Sequence, residues 1–153
     1  MALPRSFLAI LAALLVVMLA GCGRSTAVPV PSPADFTEMT NQMTRLGVTV
    51  LDIVSGDAGC ADRTLGPTAI AFTASGLDQV QPVRIRVYVF ADRATWQRLA
   101  GSVASCARSY VTDPATYESL APSPFVVSGQ GPWAPGFAAA LKTAFTGAAG
   151  NGG

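Results

Sequence analysis

The sequence predicts an α+β domain: a two-layer sandwich in which about four strands, in a mixed or antiparallel sheet, carry about three helices. Two periodicities and one pair of residues support this. Apolar residues recur at intervals of three and four in three segments, they alternate or run in short β-branched stretches in four others, and Cys60 and Cys106 offer one covalent staple.

The first helix is expected from Pro33. Ser32 suits the cap, Pro33 the first helical position, and Asp35 brings negative charge to the first turn, where the helix dipole favours it. Phe36, Met39, Met43 and Leu46 then share one face, and Gly47 supplies the stop. Val48 to Val54 reads as a strand, followed by the Gly56-Asp57-Ala58-Gly59-Cys60 loop.

Thr68 to Thr73 and Val83 to Phe90 read as two further strands, joined by a hairpin loop that carries Ser75-Gly76 and Gln81-Pro82. In the second of these, Val83, Ile85, Val87 and Val89 are expected to face the core. The alternate set begins polar, with Arg84 and Arg86, and ends aromatic, with Tyr88 and Phe90.

Asp92 is a good cap for a second helix reaching about Tyr110. Trp96, Leu99, Val103, Cys106 and Tyr110 form its stripe, which puts Cys106 on the core side within reach of the Cys60 loop. Thr112-Asp113-Pro114 ends that helix, and Phe125 to Ser128 reads as the last strand. Pro135 opens a third helix with Phe137, Leu141 and Phe145 on one face. The third strand, second helix and fourth strand are expected to form a crossover unit, which would make the sheet mixed.

The amino-terminal segment has a different character. Arg5 precedes an unbroken apolar run from Phe7 to Leu19, then Ala20 and Gly21. Phe7 to Gly21 is 15 residues, short of the roughly 20 needed to cross a bilayer as a helix. Leu19-Ala20-Gly21-Cys22 resembles the bacterial lipobox, in which a cysteine follows two small residues at the end of the apolar core. The resemblance implies that Cys22 is lipidated and becomes the first residue after cleavage, and that the protein is held at the cell membrane on its extracytoplasmic face. Two acyl chains suffice for stable anchoring, at about 0.8 kcal/mol per buried CH₂.

The organisation expected is therefore a lipoprotein signal peptide at 1–21, an extended Pro- and Ser-containing linker at 22–32, one globular domain at 33–146 and a flexible tail at 147–153. From Cys22 onward nine basic residues balance nine acidic ones, so neither a polybasic lipid surface nor a nucleic-acid surface is indicated. Cys60 and Cys106 are expected to form a disulfide, since export permits oxidation and a two-thiol zinc shell without histidine would be poor.

The chain contains no histidine. Ser-His-Asp and Cys-His nucleophilic catalysis are thereby excluded, as are most exported zinc hydrolases. Lys142 has no Ser-x-x-Lys motif, and two glutamates in a small domain leave little material for a glycosidase cleft. No catalytic residue, cofactor or metal site is expected; Asp52, Asp57 and Asp62 lack the alternating oxygens and closing glutamate of a calcium loop.

Five residues are candidates for a surface or ligand site. Arg84, Arg86 and Tyr88 would share one strand face, where guanidinium forks suit a carboxylate or phosphate; the competing reading is pairing with nearby acids. Gln130 and Trp133 lie in Gly129-Gln130-Gly131-Pro132-Trp133-Ala134-Pro135, which reads either as a strand-to-helix corner or as an anion-binding helix start. The expected function is a non-enzymatic domain that binds an envelope protein. The alternative is a small-ligand carrier or sensor with a cavity lined by Phe72, Trp96 and Phe125.

Overall fold

A computed structural model describes residues 33–150, with side chains from Phe36 to Ala149. The expectations for the leader, Cys22, the 22–32 linker, the Ser32 cap, the Pro33 and Asp35 side chains and the end of the tail lie outside the described residues.

The chain folds as α1 (Pro33–Arg45), β1 (Val48–Ser55), β2 (Ala69–Gly76), β3 (Gln79–Val89), α2 (Arg93–Ala107), β4 (Tyr117–Leu120), β5 (Phe125–Gln130) and α3 (Pro135–Gly150), with short 3-10 turns at Gly66–Thr68 and Pro114–Thr116. The α+β class is as expected. Among the described residues the sheet has five strands, ordered β1-β2-β3-β5-β4, and every pairing is antiparallel.

The extra strand corrects the expected crossover. After α2 the chain passes beyond the neighbouring position to form β4 at the edge, and β5 then returns between β4 and β3. Both β3 and β4 run opposite to β5, so the crossover joins strands of like direction that never touch. The sheet is consequently antiparallel, not mixed.

The β2–β3 hairpin is tighter than expected. Gly76 pairs with Gln79 around the two-residue loop Leu77-Asp78, and Gln81-Pro82 lies inside β3. Leu77 is at φ 54 and Gly76 at φ 121. A Cβ on Gly76 would come within 2.3 Å of the Gly47 carbonyl oxygen, so glycine is required there. Pro82 is tolerated because the register jumps between Ala74↔Val83 and Gly76↔Gln79, which leaves it in a bulge outside the ladder.

The sheet is covered on both faces, which corrects the two-layer expectation. One face carries α1 and α3: Phe36, Met39 and Met43 meet Phe72, Ile85, Val87, Phe137, Leu141 and Phe145 in a single core. The other carries α2 and the 56–65 loop, where Ala58, Leu65, Val103 and Cys106 pack on Tyr88, Phe90 and Val126. β3 therefore buries both sets of alternate residues over its second half, which explains why its polar set turns aromatic after Arg86.

The helical stripes are otherwise as read, with two differences. Leu46 follows α1 instead of belonging to it and is 37% exposed. α2 ends at Ala107, and the chain reaches Tyr110 through turns closed by Ser109 N–H to the Cys106 carbonyl and Tyr110 N–H to the Ala107 carbonyl. α3 runs through Gly150, so the expected tail is helical from Gly147 to that point. No helix among the described residues is long and apolar enough to cross a membrane.

Candidate functional site

The register of the sheet places a row of residues on the α2 face. Leu51 of β1 pairs with Thr73 of β2, which pairs with Arg84 of β3. One step along, Val54, Ala71, Arg86 and Ser128 form the next row, and Tyr88 continues the same side of β3. Arg84, Arg86 and Tyr88 thus share a face, as their spacing implied.

Asp57 sits over the two arginines. Its Oδ2 lies 3.3 Å from Arg84 Nη2, and its Oδ1 and Oδ2 each lie 3.4 Å from Arg86 Nη2. The Gly59 amide donates to Asp57 Oδ1 at 2.9 Å, so the loop's own turn aims the carboxylate. Arg84 Nη1 also donates to the Asp52 carbonyl at 3.0 Å, tying β3 across β2 to the bulge of β1. Burial of Asp57 pushes its pKa up, but the Arg86 charge and hydrogen bonds from Arg84, the Gly59 amide and Arg86 outweigh it and hold the carboxyl below its ordinary value.

Arg86 is enclosed. Its guanidinium carbon stacks 4.1 Å from the Tyr110 ring centroid, and its Nε is buried without a hydrogen-bond partner. Gly59 makes this possible, because a Cβ there would fall 2.4 Å from both Arg86 Nε and Tyr110 Cδ1. Tyr88 lies beneath, fully buried, donating its hydroxyl to the Ala58 carbonyl at 2.8 Å. Its Oη is 3.3 Å from Tyr110 Oη, which is 2.6 Å from Ser128 Oγ. Burial raises both phenol pKa values, and the hydrogen bond to Tyr110 raises that of Tyr88 further. These hydroxyls stay protonated donors at neutral pH.

The Cys60–Cys106 bridge is formed, with Cα atoms 5.4 Å apart. It clamps the loop that delivers Asp57 and the Ala58 carbonyl onto α2, so the staple and the arginine pair belong to one local assembly.

Of the five candidate site residues, the structure gathers three around one depression. Arg84, Arg86 and Gln130 line it with Tyr110, which sequence reasoning assigned only to the helix stripe. Tyr88 is buried below it. Trp133 faces the opposite core, stacked edge-on to Phe137, with its Nε1 donating to the Gln130 carbonyl at 3.2 Å. Gln130 is engaged structurally: its Oε1 accepts from the Thr112 and Asp113 amides at 2.8 and 3.1 Å, and its Nε2 donates to the Asp113 carbonyl at 3.2 Å.

The helix start after Trp133 holds no foreign anion site. Asp78 fills it, accepting from the Gly136 and Phe137 amides, while Gln79 Oε1 accepts from the Ala134 amide at 2.9 Å. The segment is the strand-to-helix corner that was one of its two readings. The expected carrier cavity is corrected as well: Phe72 and Phe125 belong to the α1/α3 core and Trp96 to the α2 cluster, so the three do not line one space. Among the described residues no three His, Cys, Asp or Glu side chains group to hold a metal ion.

Comparison with protein-family models, with curated proteins and with solved structures finds no match in any of the three.

Proposed function

We propose that this chain is a lipid-anchored domain on the extracytoplasmic face of the cell membrane that binds another envelope protein and performs no catalysis itself. The observation that carries the binding role is on β1, an edge strand. Leu51, Ile53 and Val54 are 56%, 51% and 46% exposed there, side by side on a strand that, among the described residues, has β2 on one flank only. Adjacent exposed apolar residues on a free edge favour burial against a partner. The register shift between Leu51 and Val54, with Asp52 at φ 52, interrupts the backbone ladder and favours docking through these side chains over strand addition.

The Leu19-Ala20-Gly21-Cys22 motif supports the anchor, and the Cys60–Cys106 bridge fits an oxidising compartment. Labelled palmitate should enter the full chain in cells and be lost in Cys22→Ser. A photo-crosslinking residue at Leu51 in the full chain, on intact cells, should give a discrete adduct that is absent from Ser105 on the exposed side of α2 and weakened by Val54→Asp. Equal labelling from Leu51 and Ser105 would refute the docking role, and palmitate incorporation independent of Cys22 would refute the anchor.

A further inference from the structure

The depression beside Arg84 and Arg86 encloses about 270 Å³, room for one residue-sized group. Its walls include Pro82, Pro132, Tyr110 and Gln130, and among the described residues none of the side chains lining it is acidic. Among the described residues, the one carboxylate within ion-pair distance of either guanidinium is that of Asp57. Two positive charges therefore face a single negative one.

The pairing is also loose. The contacts of 3.3 and 3.4 Å exceed the roughly 2.7–2.9 Å of charge-assisted hydrogen bonds. Arg86 is only 13% exposed, so its charge is largely removed from water, and the Asp57 carboxylate that it meets is shared with Arg84. Tyr110 stacking fixes the plane of that guanidinium, and Arg84, 36% exposed, is bonded through Nη1 and Nη2 and leaves its Nε–H for an incoming group. Gln130 is held by the 112–113 backbone, so its amide frames the wall without competing for the arginines. The proline walls offer no donors and present apolar rings.

We propose that this depression is a binding site for a monocarboxylate of about amino-acid size, its carboxylate completing the charge balance between Arg84 and Arg86 and its apolar part lying against Pro82 and Pro132. A single negative charge matches the surplus of one; a phosphate dianion would exceed it. The site adjoins the β1 patch through the Arg84–Asp52 hydrogen bond but shares no lining residue with it, and its test uses no protein partner, so either proposal can fail without the other.

The test follows the arginine Nε–Hε resonances of the full chain by NMR at constant ionic strength while N-acetyl-leucine is added. The expected result is a saturable shift at Arg84 and Arg86, absent with neutral N-acetyl-leucinamide and weakened about tenfold in Arg84→Gln, as loss of a charge-assisted bond implies. Arg84→Lys should restore part of the affinity. An equal response to the amide, tighter binding of inorganic phosphate, or an unchanged affinity in Arg84→Gln would overturn it. If Arg84→Gln does not fold, the acid-against-amide comparison on the unaltered chain decides.

Discussion

Asp78, at the tip of the β2–β3 hairpin, accepts the Gly136 and Phe137 amides of α3 at 2.8 Å each, capping a helix whose Gly136 lies 58 residues further along the chain. The hairpin loop and the last helix are therefore joined by one carboxylate, close to the glycine that lets the two come together: a Cβ on Gly136 would lie 2.9 Å from Asp78 Oδ1. Asp78→Ala should lower the thermal midpoint, and Asp78→Asn should lower it less, because an amide oxygen still caps. Differential scanning calorimetry on the three proteins checks the order; equal midpoints would mean that the cap contributes nothing.

Gly59 and Gly56 both have positive φ, at 75 and 84, but their surroundings differ. A Cβ at Gly56 meets nothing within 4 Å, while one at Gly59 strikes Arg86 and Tyr110. Gly56→Ala should cost about 1–2 kcal/mol from backbone strain alone. Gly59→Ala should cost a further 1–3 kcal/mol or so from overpacking. Urea unfolding measures both, and equal losses would show that the Arg86 stack gives way easily.

Removing the bridge as Cys60→Ala/Cys106→Ala should cost about 2–5 kcal/mol, since a separation of 46 residues closes a long loop in the unfolded chain. The same loss should follow reduction of the unaltered protein. A change under about 1 kcal/mol in either would place the stability of the 56–65 loop in the packing of Ala58 and Leu65 on Tyr88.

Stability should fall in acid for a stated reason. The carboxyl of Asp57 titrates lower in the folded chain than in the unfolded chain, because the arginines and the Gly59 amide outweigh its burial. The amide of Gly136, with that of Phe137, lowers Asp78 likewise against its desolvation. The unfolded chain then binds protons first, so this contribution is complete above about pH 4 and vanishes as pH falls through the folded values. Unfolding free energies from pH 7 to 2 should decline less steeply in Asp57→Asn. Parallel curves would remove Asp57 from the account.

The sequence is legible where one element carries its own signal. Asp92 caps α2 through the Thr95 amide at 2.7 Å, three residues away, and Phe137, Leu141 and Phe145 are fully buried along one side of α3. The bridge followed from there being two cysteines beyond residue 22. By contrast, β4 is four residues of mixed polarity whose half-buried pattern shows no alternation, and β5 is what makes it a strand.

The α+β class, the faces of the helices, the shared face of Arg84, Arg86 and Tyr88, and the cysteine pair are legible in the order of residues, because periodicity and residue count act within single elements. The folded arrangement sets the strand order, the second covered face of the sheet, the depression beside the arginines and the burial of Trp133. It also decides that Asp57 meets Arg84 across 27 residues and that Asp78 occupies the α3 start. Those outcomes rest on contacts between distant segments, whose geometry no local pattern of side chains contains.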